Sequence, residues 1–187
     1  MSPPEKWGPP IWTFFHTLAE KVNDETFHKI KFSLFSLIKR ICNFLPCPEC
    51  SQHASQFLGR ININAIQNKN QFKQMLCLFH NTVNKRRNKG IFPFENINKY
   101  KLYNVGATFN NFIKVYHTKG NMNLLAESFQ RNLLINDLRK WLINNHKFFC
   151  SPKIKLSQLN NPNTNTEINA EKNTESTTEN DIITKNK

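Results

Sequence analysis

The chain has 187 residues, a hydrophobic content of 39% with 16 phenylalanines, and a net charge of +13, which is enough apolar material for one domain with a buried core. No stretch approaches the roughly 18 consecutive apolar residues that a membrane helix needs, and residues 1–8 lack the hydrophobic segment of a secretion signal, so we expect a cytoplasmic protein without a membrane span. The positive charge lies in residues 1–150, because the five basic and five acidic residues after position 150 cancel; no nucleic-acid motif accompanies it, so specific nucleic-acid binding is not expected.

Helical spacing dominates the first ninety residues. Apolar residues recur every three or four positions over residues 11–22 and again over residues 27–41, which predicts two amphipathic helices. A third helix is expected from position 47 to 58, with Pro48 in the favoured first turn. A fourth apolar stripe covers residues 72–83. Four amphipathic helices joined by short connections are typical of a helical bundle.

Beyond Gly90 the helical pattern becomes weaker. Residues 91–103 are expected to form a turn and a short fifth helix, and two further stripes, around Phe112 and from Leu125 to Trp141, predict more helix. Residues after position 150 are rich in Asn, Thr, Glu and Lys and lack aromatic side chains, so we expect them to be disordered. The predicted fold class is all-α: a four-helix bundle with a short fifth helix (1–103), a C-terminal helical extension (104–150) and a disordered polar tail (151–187).

The most informative motif is Cys47-Pro48-Glu49-Cys50, with His53 three residues later. A cysteine at a helix N-terminus faces unpaired backbone N–H groups and the positive end of the helix dipole, which stabilises a thiolate. CxxC in such a position is a common arrangement for dithiol–disulfide exchange. Half of a zinc site is an alternative, with His53 and a ligand from Cys42, Cys77 or His80, but no second CxxC supports it. A thioredoxin-like fold would need strands around the motif, and none is predicted.

Polar and aromatic side chains on two other helices accompany this motif. Side chains four residues apart share one face of a helix, and the pairs here are Trp12 with His16, His80 with Asn84, and Asn81 with Lys85. An indole, hydrogen-bond donors and a basic side chain suit a flat, anionic, nitrogen-rich ligand. Taken singly, a buried structural histidine and surface asparagines would be the simpler interpretation. Their combination with a redox CxxC favours a binding site.

Three segments of the chain form a longer pattern. They are Trp7-Gly8-Pro9-Pro10-Ile11-Trp12-Thr13-Phe14-Phe15-His16, then Leu45-Pro46-Cys47-Pro48-Glu49-Cys50-Ser51-Gln52-His53-Ala54, and then His80-Asn81-Thr82-Val83-Asn84-Lys85. In this order and spacing they resemble the Erv/ALR family of FAD-linked sulfhydryl oxidases. The second segment is most similar to small members encoded by large DNA viruses. The resemblance covers roughly residues 7–103.

The resemblance implies a flavoprotein with two distinct cysteines. It implies a bundle that holds FAD non-covalently at its mouth, is usually dimeric, and converts two thiols and O₂ into a disulfide and hydrogen peroxide. Cys50 would lie next to the flavin, and Cys47 would take electrons from protein dithiols, directly or through a thioredoxin-like carrier. The side chains that would line the FAD are Gly8, Trp12, His16, His53, His80, Asn81, Val83, Asn84, Lys85 and Lys89. No metal is expected, and a viral member would work in the host cytoplasm or the virion.

The sequence also departs from the family pattern. Cellular members often carry a structural disulfide whose first cysteine corresponds to Cys77, but its partner position is Phe94. Cys77 is therefore either a buried free thiol or pairs elsewhere. Many relatives have a second, shuttle cysteine pair; none exists here, and Cys150 is either a shuttle or a thiol without a catalytic role. Cys42 is expected in the core. Residues 104–150 match nothing in the family pattern and would cap the bundle or recruit a partner.

Overall fold

The computed structural model describes residues 3–116 and 125–149, which form an all-α fold. The α-helices in this part are α1 (Pro4–Lys21), α2 (Phe27–Asn43), α3 (Pro48–Gly59), α4 (Lys69–Arg86), α5 (Val105–Tyr116) and α6 (Leu125–Asn145). Shorter 3₁₀ helices cover Ile63–Ala65, Phe94–Leu102 and His146–Phe148. The described residues contain no strand, only an isolated antiparallel bridge between Val22 and Phe149. The predicted all-α class and the four bundle helices are confirmed.

The helices begin where their sequences supply caps. Asn68 precedes α4, and its Oδ1 accepts a hydrogen bond from the Gln71 amide at 2.9 Å. Cys47 precedes α3 in extended conformation, and its Sγ accepts from the Cys50 amide at 3.2 Å. Such caps satisfy amides that the helix itself leaves without partners. The CxxC motif therefore also caps the N-terminus of the helix that it begins.

The core is continuous from the bundle into the C-terminal helices. The largest fully buried side chains include Phe14 and Phe15 of α1 together with Phe109, Phe112 and Tyr116 of α5. All five belong to one hydrophobic cluster, which extends into α6 through Leu134, Ile135, Leu138 and Leu142. No break in packing lies at the predicted boundary between residues 103 and 104.

Helices α5 and α6 pack mainly against different helices of the bundle. Helix α5 packs on α1, and α6 packs on α2. The Tyr116 hydroxyl donates to the backbone oxygen of Ile41 at 3.0 Å, and Arg40 pairs with Asp137 at 2.6 Å. Phe129, although part of the predicted apolar stripe of α6, is exposed. Both helices therefore pack against the bundle, and the role of this segment stays a prediction.

The segment that was expected to hold a short fifth helix is a 3₁₀ helix, Phe94–Leu102. It forms a small second apolar cluster in which Ile97 and Tyr100 pack with Cys77, flanked by Phe92 and Phe94. Cys77 is a free, buried thiol, as one of the two predictions for it stated. Aromatic packing therefore occupies the place where a disulfide from position 77 would lie.

The remaining expectations concern single features. Cys42 is free and buried, as predicted. None of the helices in the described ranges is both long enough and apolar enough to cross a membrane. The predictions for Cys150 and for the tail 151–187 fall outside the described residues.

Candidate functional site

A cavity of about 740 Å³ opens between α1, the start of α3 and α4. Nine of the twelve predicted site residues line it: Gly8, Trp12, Cys47, Cys50, His53, His80, Val83, Asn84 and Lys89. The lining does not include the other three, His16, Asn81 and Lys85. The cavity has the size of ordinary cofactor sites, which span roughly 300–1,000 Å³.

One wall of the cavity carries a disulfide between Cys47 and Cys50. Cys47 caps α3 and Cys50 lies in its first turn, so both sulfurs are at the positive end of the helix. The preceding turn is fixed because the Leu45 amide donates to Ser51 Oγ at 3.0 Å. Both cysteines are half-buried. The bond therefore lies between the cavity and the surface.

A stack of aromatic rings forms another part of the cavity lining. The rings of Trp12 and His80 are parallel within 10°, with centroids 4.1 Å apart, and Phe92 stacks on His80 at 4.7 Å. His16 lies behind this layer, fully buried, with its Nε2 3.0 Å from His80 Nδ1. His16, which was predicted to contact the ligand, therefore lies behind the residues that line the cavity.

Burial keeps both imidazoles of this layer neutral. Burial, with the neighbouring His80 and Lys99, lowers the pKa of His16 to about 3. Burial, with Lys99 and Lys89, lowers the pKa of His80 to about 4. A charged imidazole loses its hydration when it is buried, so burial favours the neutral form. The positive charges of nearby lysines repel the imidazolium and lower the pKa further.

These shifts predict that acid destabilises the fold. The unfolded chain binds protons at histidine below about pH 6.5, whereas folded His16 stays neutral to about pH 3. The free energy of unfolding should therefore fall as pH decreases from about 6.5 towards 4, by up to about 1.4 kcal/mol per pH unit for His16. Urea denaturation between pH 5 and pH 7 measures the free energy of unfolding at each pH. His16→Met should make this free energy less dependent on pH, whereas His28→Gln, at an exposed position, should not. The same pH dependence in the wild type and in both variants would refute the prediction.

Asn81 and Asn84 hold the loop after α4. Asn81 exchanges two hydrogen bonds with the Phe92 backbone: its Nδ2 donates to the oxygen at 3.0 Å, and its Oδ1 accepts from the amide at 2.7 Å. Asn84 Nδ2 donates to the oxygen of Gly90 at 3.1 Å. The loop passes through Asn88 in the left-handed conformation, φ 52°, which asparagine tolerates. Asn81 therefore supports the wall formed by Phe92.

Basic side chains form the rim of the cavity. Arg86 and Arg87 line it and pair with Glu49 and Glu5, respectively. Lys99 also lines it, with its Nζ above the Phe92 ring at 5.5 Å. The combination of stacked rings, polar edges and a basic rim fits a flat anionic ligand.

Sequence reasoning missed part of this lining, namely Arg86, Arg87, Phe92, Lys99 and Tyr100. The arginines belong to a basic run at residues 85–89, and a run of charges does not by itself indicate which side chains face a cavity. The other three follow α4 in a loop and a 3₁₀ helix, where periodicity gives no signal for the face they present.

Metal binding has no support in the described residues. No group of three or more His, Cys, Asp or Glu side chains in them is arranged to hold a metal ion. His53 lies 3.9 Å from the Glu49 carboxylate instead. A zinc site of four ligands needs more donors than this part of the chain brings together.

Comparison with known proteins shows matches to one family. The model of the Erv1/Alr family matches residues 9–104. The chain is 34% identical to the FAD-linked sulfhydryl oxidase ERV1 of Arabidopsis thaliana, over 50% of this chain and 48% of that protein. It is 33% identical to the FAD-linked sulfhydryl oxidase of African swine fever virus, over 52% of this chain and 84% of that protein. For the putative FAD-linked sulfhydryl oxidase 096R of Invertebrate iridescent virus 3 the identity is 32%, over 46% and 59%.

The coverage of these relatives is unequal. The chain spans about half the length of the plant relatives from Arabidopsis thaliana and Oryza sativa, but most of the length of the African swine fever virus protein. No solved structure gives a significant match.

Proposed function

Because the chain belongs to the Erv1/Alr family, we propose that it is an FAD-dependent sulfhydryl oxidase that forms disulfides: 2 R–SH + O₂ → R–S–S–R + H₂O₂. The observation that carries the proposal is the position of the Cys47–Cys50 disulfide in the wall of a cavity faced by Trp12 and His80. A redox-active pair beside a large aromatic cavity is the arrangement that a thiol oxidase needs, and a redox carrier without a cofactor would not require the cavity.

The residues of the cavity fit FAD. Trp12 offers an indole at the cavity surface, and the basic rim suits a diphosphate. Gly8 also lines the cavity, and the space beside it is open, since an added Cβ would meet nothing within 4 Å. Flavin, when bound, supplies the acceptor for two electrons and their transfer to O₂. The protein supplies position and electrostatics.

The cysteines perform the exchange with the substrate. A substrate thiolate attacks Cys47 Sγ, the Cys47–Cys50 bond breaks, and Cys50 leaves as a thiolate at the helix N-terminus. The second thiolate of the substrate then attacks the substrate sulfur that is bonded to Cys47. This step forms the substrate disulfide and releases Cys47 as a thiolate. The substrate loses two electrons and the pair gains them. Attack at Cys47 is supported by its place in the extended chain before α3, while Cys50 lies inside the helix.

The partners and the location are part of the proposal. The substrates are protein dithiols, reached directly or through a thioredoxin-like carrier, and the family resemblance supports a homodimer. Relatives from African swine fever virus and iridescent viruses support a role in the host cytoplasm, where such an enzyme would make disulfides among otherwise reduced thiols.

Absorption of the purified protein tests the cofactor. The proposal expects a yellow protein that releases one FAD per chain on denaturation and consumes O₂ when dithiothreitol is added. Colourless protein with stoichiometric zinc would contradict it, and reconstitution with added FAD checks for loss during purification.

Replacing Trp12 should weaken flavin binding strongly. Stacking of an aromatic side chain on a heterocycle contributes about 2 kcal/mol, so Trp12→Ala should raise the Kd for FAD roughly 30-fold. Fluorescence titration of the flavin-free protein with FAD measures this Kd. The control Phe129→Ala removes an exposed aromatic ring from α6, away from the cavity lining, and should leave the Kd unchanged. Equal affinities in the wild type and Trp12→Ala would argue against this pocket.

A further inference from the structure

The buried His16 and the half-buried His80 form a pair whose protons are not independent. His16 on α1 and His80 on α4 share one hydrogen bond, 3.0 Å between His16 Nε2 and His80 Nδ1. The other nitrogen of His16, Nδ1, is buried and has no partner among the described residues. Since both imidazoles are neutral at pH 7, with pKa values of about 3 and 4, one proton lies in the shared bond and one ring is its donor.

The rings around His80 leave only its edge for a ligand. Trp12 stacks on it at 4.1 Å and Phe92 at 4.7 Å. Two rings cannot share one face of an imidazole at such separations, so both faces are covered. Its Nδ1 is directed at His16, and its Nε2 forms no hydrogen bond within the described part of the chain. Because His80 lines the cavity, Nε2 is the polar atom that it can offer there.

Two tautomers of the pair are conceivable, and they differ in cost. If His80 donates from Nδ1, then His16 must carry its proton on Nδ1, where a buried N–H would have no acceptor. If His16 donates from Nε2, its Nδ1 is an unprotonated nitrogen, and both rings hold the Nε2–H form, which is the more stable tautomer of a histidine side chain in water. Orphaned buried N–H groups are rarer than unpaired acceptors. The second arrangement is therefore favoured at both rings.

We propose that His16 is a positioning residue that fixes His80 as the Nε2–H tautomer, and that His80 binds the dinucleotide by donating this N–H to an acceptor atom. This inference rests on the proposed function for the identity of the ligand. It gives the two histidines of the predicted site different roles: His80 touches the ligand through its edge, and His16 acts only through His80. The hydrogen bond made by one ring nitrogen determines what the other presents.

Nitrogen-15 NMR of the full-length protein tests the tautomer directly. Long-range correlations at pH 7 should show His80 Nδ1 unprotonated and Nε2 protonated in the flavin-free protein, with assignments from His80→Asn. Adding FAD should shift the Nε2 and Hε2 resonances. A proton on His80 Nδ1, or unshifted resonances with FAD bound, would overturn the inference. Failure of the wild type to bind FAD at all would instead refute the proposed function, and the flavin-free spectrum would still decide the tautomer.

A matched pair of variants separates positioning from packing. His16→Gln and His16→Met have similar side-chain lengths, but only glutamine can donate a hydrogen bond to His80 Nδ1. We expect the Kd for FAD to rise about tenfold in His16→Met and to stay within about threefold in His16→Gln. Equal weakening in the two variants, at similar melting temperatures, would assign His16 a packing role only and contradict the inference.

Discussion

Cys50→Ser should reduce oxygen-dependent oxidation of dithiothreitol at least about 1,000-fold and leave FAD bound. Without Cys50 there is no Cys47–Cys50 disulfide for a substrate thiolate to attack, so the cysteines can no longer accept two electrons from dithiothreitol. Removing a nucleophile from a catalytic unit typically costs this much or more. Oxygen consumption measures turnover, and the flavin spectrum of the same sample measures cofactor content. Cys47→Ser should be equally inactive.

The chain provides a matched control in Cys77. This thiol is free and buried, burial and Glu95 raise its pKa, and it does not line the cavity. Cys77→Ser should therefore retain turnover close to that of the wild type. If Cys50→Ser keeps turnover, or if Cys77→Ser loses it with FAD still bound, the assignment of the redox pair is wrong.

Phe112→Ala should lower the free energy of unfolding by about 3–5 kcal/mol, although residue 112 lies outside the segment matched by the family. Phe112 is fully buried, with its ring 5.1 Å from Phe14 of α1 and 4.8 Å from Tyr116. Truncation leaves a cavity that the packed helices cannot close. Chemical denaturation followed by circular dichroism measures the change.

Lys114→Ala is the control on the same helix, because Lys114 is exposed and should change stability by no more than about 0.5 kcal/mol. A chain that ends at residue 104 extends the test. It lacks α5 and α6 and would expose Phe14 and its neighbours in α1, so it should aggregate or fail to fold. A stable, flavin-binding 1–104 fragment would show instead that the extension is dispensable.

Predictions from the sequence are reliable where the signal is local. Apolar periodicity predicted α1 to α4, and CxxC with Pro48 predicted the start of α3, because caps and helix faces depend on neighbours within a few residues. The comparison with the family pattern predicted a buried free thiol at Cys77 as one of two options, since position 94, where that pattern places the partner cysteine, is a phenylalanine. The 3₁₀ form of residues 94–102 was not predicted, because a weak period does not distinguish it from an α-helix.

Local sequence patterns do not predict contacts between segments that are distant in the chain. His16 and Trp12 share a face of α1, but only the packing of α4 decides that Trp12 reaches the cavity and His16 lies behind it. The sequence also did not indicate that the Asn81 side-chain amide forms two hydrogen bonds with the Phe92 backbone, eleven residues away. How deep a side chain lies in a cavity depends on the packing of several helices, so the pattern of one helix does not predict it.

The chain by itself determined which chemistry is present: a CxxC at a helix start, a Trp/His face, a His-Asn helix and a basic run. Those features follow from spacing along one helix, which the 3.6-residue repeat fixes. Only the tertiary structure decided how they meet, with the disulfide and the ring stack in the lining of one cavity and with α5 and α6 contributing to the core of the bundle. The reason is physical: burial and long-range contacts depend on how helices pack, and that depends on all the side chains between them.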